Sequence, residues 1–131
     1  MRFHFRPLVL GAAVATAIGL ATAGCGPSET TATAYLTWQI VDKKEPDPST
    51  APALPCAQKN VAVIRLQLTP GAGSFDFPCT SMAAESQTVS SGIYTIQAVA
   101  LNPTYQVVAQ TTFQQRLFGR TSLGHIVFQV Q

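Results

Sequence analysis

The feature that most constrains this chain is a two-residue alternation of apolar and polar side chains, repeated in short segments and broken by turn residues. It is cleanest from Val61 to Leu68, where Ala62, Ile64, Leu66 and Leu68 fall on one side and Val63, Arg65 and Gln67 on the other. Successive side chains of a strand point to opposite faces, so this period marks a half-buried strand and excludes an amphipathic helix. The same pattern runs from Tyr35 to Asp42, with Leu36, Trp38 and Ile40 against Thr37, Gln39 and Val41. It recurs from Tyr94 to Ala100 and from His125 to Gln131, the latter with Ile126, Phe128 and Val130 toward a core. Ser74 to Cys79 reads as a short strand with Phe75 and Phe77 inward, Ser86 to Val89 as a short edge strand, and Gln106 to Phe113 as a return strand. Turns are expected at Thr69 to Gly73, Ser90 to Gly92, Asn102 to Thr104 and Gly119 to Gly124. Pro46, Pro48, Pro52 and Pro55 make Lys43 to Pro55 an extended loop, because proline removes ladder donors. Met82 to Glu85 alone has helical propensity, and it is too short to form a helix by itself. The expected fold is all-β, an antiparallel sandwich of about seven strands of the immunoglobulin or transthyretin-like kind, following a helical signal peptide.

The first residues differ in character from the rest. Arg2 and Arg6 precede an apolar run from Leu8 to Ala23, 16 residues long and diluted by Gly11, Thr16, Gly19 and Thr22. A helix needs roughly 20 residues to cross about 30 Å of hydrocarbon, so a cleaved secretory signal fits better than a protein anchor. Two cleavage modes remain open, because Ala21-Thr22-Ala23 also has the small-x-small pattern of ordinary signal cleavage. The segment Thr22-Ala23-Gly24-Cys25 resembles the lipobox of bacterial lipoproteins, with Thr22 where the family usually carries Leu, Val or Ile. That resemblance implies lipidation of Cys25 and a membrane partner held through acyl chains, which bind durably when two or more act together. Gly26 is not the aspartate that favours inner-membrane retention, so the implied location is the cell envelope, at the outer membrane of a Gram-negative bacterium. The expected division is residues 1–24 signal peptide, 25–34 flexible tether and 35–131 sandwich.

With Arg2 and Arg6 removed, six basic residues face six acidic ones, so the formal charge of +2 does not survive in the mature part. No basic face remains, and nucleic acid is excluded as a partner. Beyond Cys25 the cysteines are Cys56 and Cys79, an even pair in an exported chain, which predicts a Cys56–Cys79 disulfide. A redox pair or a metal site is the rival, but the spacing is not CxxC and His125 is the only histidine after the leader.

The stretch Ser91 to Gln110, SGIYTIQAVALNPTYQVVAQ, resembles the strand and hairpin of transthyretin-like (prealbumin-like) sandwiches. Gly92 and Tyr94 match; Ser91 replaces the usual proline and Asn102 the usual aspartate. The resemblance implies a core tyrosine at Tyr94, and it implies no activity.

Chemistry is sparse. There is no GxSxG elbow, no SxxK motif and no phosphate loop around Gly71 and Gly73. His125 reads as a turn or strand-end residue with a structural or solvent role, and no catalytic residue, cofactor or metal is expected. Asp42, Glu45 and Asp47 could offer oxygen ligands from a loop, but their spacing is not that of an EF-hand. Trp38 belongs to the core, whereas Tyr35, Tyr105 and Phe118 stand at strand ends or turns as candidate exposed contacts. The expected function is a noncatalytic binding or structural module of the envelope, with a protein, peptide or glycan partner. The alternative is a small periplasmic or surface hydrolase, or a calcium-dependent enzyme component.

Overall fold

The computed structural model describes residues 30–131. Cys25 and the expected signal peptide lie outside the described residues. Eight strands form two sheets: β1 (Thr31–Asp42), β2 (Val63–Thr69), β3 (Gly73–Pro78), β4 (Ala83–Glu85), β5 (Val89–Ser90), β6 (Gly92–Leu101), β7 (Val107–Leu117) and β8 (Gly119–Val130). In the first sheet β1 is central, with β8 on one side and the short β4 and β5 on the other. The second sheet has the order β3-β2-β6-β7 and is antiparallel throughout. The all-β sandwich is as expected. Helical structure among the described residues is limited to single 3₁₀ turns at Cys56–Lys59 and Cys79–Ser81.

The alternating residues meet between the sheets. Leu36, Trp38 and Ile40 of β1, with Ile126, Phe128 and Val130 of β8, face Ile64, Leu66 and Leu68 of β2 and Ile96, Ala98 and Ala100 of β6. Trp38 is buried and its ring lies 6.4 Å from that of Phe77, which with Phe75 faces inward from β3. Its indole Nε1 donates to the Cys79 carbonyl oxygen at 2.9 Å. Cys79 in turn is bridged to Cys56, so the expected disulfide is present and ties the 3₁₀ turn ahead of β2 to the one that follows β3. Tyr94 packs inward, as the resemblance implies, and its hydroxyl donates to the Ser90 carbonyl 2.6 Å away. Tyrosine corners of sandwich domains bond the backbone in this way a few residues upstream. Val41 points away from the core, yet it is buried where the proline-rich loop returns and Leu54 N–H donates to Ile40 O at 2.8 Å.

Four expectations are corrected. The first strand begins at Thr31 and not at Tyr35, since Ala32 and Ala34 are buried and pair with β5 and β8; residues 31–34 are sheet and not tether. The single edge strand of Ser86 to Val89 is two pieces, β4 and β5. Between them Ser86 keeps one ladder bond, its N–H donating to Ala34 O at 2.8 Å, while its hydroxyl takes the place of the other, accepting from Ala34 N–H at 3.0 Å and donating to Gln87 O at 2.9 Å. The return strand extends past Phe113 to Leu117. Finally, Gly119 to Gly124 is strand and not turn, and β8 runs parallel to β1 over its whole length. The chain turns within Phe118–Gly119 instead, where Gly119 takes φ +57° and Thr121 Oγ1 bonds both Phe118 N–H and Phe118 O. This corner moves the chain from one sheet to the other, which brings β8 beside β1 in the same direction.

Candidate functional site

Two surfaces combine chemistry with accessibility. The first is the solvent face of β1 and β8. Because Leu36, Trp38 and Ile40 point inward, Thr33, Tyr35, Thr37 and Gln39 must point outward. The parallel register sets Thr33 beside Arg120 and Thr37 beside His125, while antiparallel β4 sets Glu85 beside Tyr35. Glu85 Oε1 accepts from Thr33 Oγ1 at 2.7 Å and from Arg120 Nε at 3.2 Å. The Thr33 hydroxyl bond, followed by the nearby Arg120 charge, holds the Glu85 carboxyl below its ordinary pKa. Arg120 also stacks its guanidinium over the Tyr35 ring, 3.9 Å from the centroid.

Farther along the same face, His125 Nδ1 lies 2.8 Å from Thr37 Oγ1 and Nε2 lies 3.2 Å from Gln39 Oε1. The amide oxygen can only accept, so in a neutral imidazole Nε2 is the nitrogen that carries the proton and Nδ1 the one that accepts from the threonine hydroxyl. A hydroxyl beside an imidazole has the composition of a nucleophile and its base. Here, however, the contact is exposed on a sheet face.

The second surface is the open side of the sandwich. β7 is an edge of one sheet and β8 an edge of the other, and both edges lie on the same side. Clefts of about 320, 380 and 300 Å³ follow one another between them. The first is lined by Thr111, Phe113, Gln115, Leu123 and His125, the second by Ala109, Thr111, Val127 and Gln129, and the third by Val107, Val108 and Val130 with Lys43 and Lys59.

The aromatic residues named from sequence do not form one surface. Tyr35 lies under Arg120 on the first sheet's solvent face. Phe118 is exposed at the β7–β8 corner. Tyr105 is exposed in the β6–β7 connection, at the opposite end of β7, with φ +61° and with Arg65 5.8 Å from its ring. That connection is organised by Asn102, whose Oδ1 accepts from Thr104 N–H, Thr104 Oγ1 and Gln106 N–H. Asn102 thus supplies the acceptor where the transthyretin-like pattern carries aspartate. In the acidic loop, Asp42 accepts from Lys44 N–H and pairs with Lys59, and Asp47 accepts from both the backbone and hydroxyl of Ser49. These donors depress both carboxyls below the ordinary value. No cluster of three metal-ligating side chains occurs among the described residues.

Sequence reasoning missed Thr33, Thr37, Gln39, Glu85 and Arg120. Their outward positions on β1 were implied by the alternation, but the pairing of β1 with β4 and β8 spans 52 and 88 residues, as the Thr33–Glu85 and Thr37–His125 contacts show. No protein-family model and no curated protein matches this chain.

Proposed function

We propose that this chain is a lipid-anchored, noncatalytic binding module of the bacterial cell envelope, held at the outer membrane through Cys25. Its partner is an extended segment of an envelope protein or peptide, taken along the open side between β7 and β8. The observation that carries this reading is the adjacency of two long strand edges, of 11 and 12 residues, with a run of clefts between them. Edges of this kind bind extended chains by strand addition, with the backbone supplying hydrogen bonds and the clefts supplying side-chain contacts. Export to an oxidising compartment is supported by the Cys56–Cys79 disulfide.

The hydroxyl–imidazole contact of Thr37 and His125 favours the hydrolase as second reading. One comparison separates them. Full-length protein is used to capture partners from detergent-solubilised membranes, and is assayed on a broad panel of ester and glycoside substrates. Binding predicts a captured envelope protein that is lost with Thr111→Lys, which places a long cation in the cleft, and no turnover. Turnover abolished by His125→Ala overturns the binding reading.

A further inference from the structure

The lipid anchor proposed at Cys25 and the start of β1 stand close together in sequence, and this limits how far that end of the sandwich can stand from the membrane. Only five residue steps separate Cys25 from Thr30. Fully extended they span at most ~17 Å. The sandwich is longer than that reach: the 11 residues of β7 extend ~35 Å.

At the tethered end the register brings together a specific set of side chains. Thr31 pairs with Ser90, Ala32 with Gly119, Gly92 with Leu117, and Ile93 with Arg116. Ile93 is 67% exposed and Phe118, at the corner two residues beyond Arg116, is 50% exposed. Large apolar side chains at such exposure, at the same end of the sandwich, are what an interfacial contact with lipid requires. Arg116 forms no ion pair among the described residues, unlike Arg120, which is held by Glu85. Asp42, at the far end of β1, leads into the loop that carries Glu45 and Asp47, away from the tether.

We propose that Ile93 and Phe118 seat this end of the sandwich in the headgroup boundary of the membrane, with Arg116 on anionic lipid phosphates. The domain then stands end-on, its open β7–β8 side running away from the bilayer and accessible to a partner. The inference rests on lipidation of Cys25, and the test separates the two.

Full-length protein is purified with its lipid and incorporated into phosphatidylethanolamine/phosphatidylglycerol vesicles that carry brominated acyl chains, which quench nearby tryptophan. Phe118→Trp reports the tethered end and Tyr105→Trp the far end; buried Trp38 is a constant background. Vesicle flotation of the wild type and Cys25→Ser reads the anchor itself. The expected result is flotation that requires Cys25, with quenching about twofold or more stronger for Phe118→Trp than for Tyr105→Trp, and weakened by Ile93→Asp or Arg116→Glu. Flotation that requires Cys25 with equal quenching at both positions, or with none at 118, overturns the end-on seating and leaves the anchor standing. Flotation that survives Cys25→Ser, or that fails in the wild type, overturns the anchor and the seating with it.

Discussion

The Tyr94 hydroxyl donates to the Ser90 carbonyl oxygen at 2.6 Å, closing the turn through which β5 enters β6. Tyr94 is buried while Ser90 is exposed, so the bond spans from the core to the rim. Tyr94→Phe keeps the ring and removes only this bond. Water can reach the released carbonyl, so the expected cost is about 1 kcal/mol and not the larger penalty of a buried orphan. Urea unfolding should show a lower midpoint with an unchanged slope; an unaltered midpoint would show that the bond contributes nothing.

The disulfide makes a larger prediction. Cys56 and Cys79 are 23 residues apart, and closing a loop of that length restricts the unfolded chain by roughly 3 kcal/mol in the chain-entropy model. Cys56→Ala/Cys79→Ala should lose about that amount. Reductant should lower the unfolding midpoint of the wild type and leave that of the double variant where it is.

How far the fold could be read from sequence depended on where each strand sits. β2 and β6 are central in their sheet, and their inner positions Ile64, Leu66, Ile96 and Ala98 are all buried apolar residues, so the alternation is clean. β7 is different because its inward positions Thr111 and Gln115 line the open side, where water replaces a neighbouring strand. Polar residues there blur the period, so the alternation marks the strand only as far as Phe113. In the sequence Tyr105 and Phe118 stand out only singly, as aromatic residues near turns. That they stand at opposite ends of β7, and that Phe118 shares its end of the sandwich with Ile93, follows only from pairing between segments distant in the chain.

Acid should weaken the fold through its exposed carboxylates. Asp76 accepts two bonds from Arg65, at 2.7 and 3.0 Å, and that pairing depresses its pKa below the ordinary aspartate value. A carboxyl whose folded pKa is lowered binds fewer protons than in the unfolded chain, so its contribution is complete above the unfolded value of about 3.9. It is lost as pH falls below that value toward the folded pKa. Both side chains are about a third exposed or more, so solvent screening limits the pair to roughly 0.5 kcal/mol. Unfolding midpoints measured between neutral pH and pH 3 should be flat down to the carboxylate range and then fall. Asp76→Asn should lie below the wild type at neutral pH and converge on it in acid; a constant gap would refute the ion-pair account.

Gly124 gives the sharpest test of the parallel β1–β8 pairing. Between the pairs Tyr35–Ser122 and Thr37–His125, β8 uses one residue more than β1, and Gly124 absorbs the irregularity at φ +81°. A β-carbon built there meets nothing within 4 Å, so substitution costs only backbone strain. Gly124→Ala is therefore expected to destabilise by about 1–2 kcal/mol, the penalty for an L-residue in left-handed conformation. Gly124→Asn should cost less, because asparagine tolerates that region better than alanine does. If β8 were broken by a flexible turn over Gly119 to Gly124, both variants would unfold at the wild-type urea concentration. The ordering glycine, asparagine, alanine in stability is the outcome that requires a continuous strand kinked at this one position.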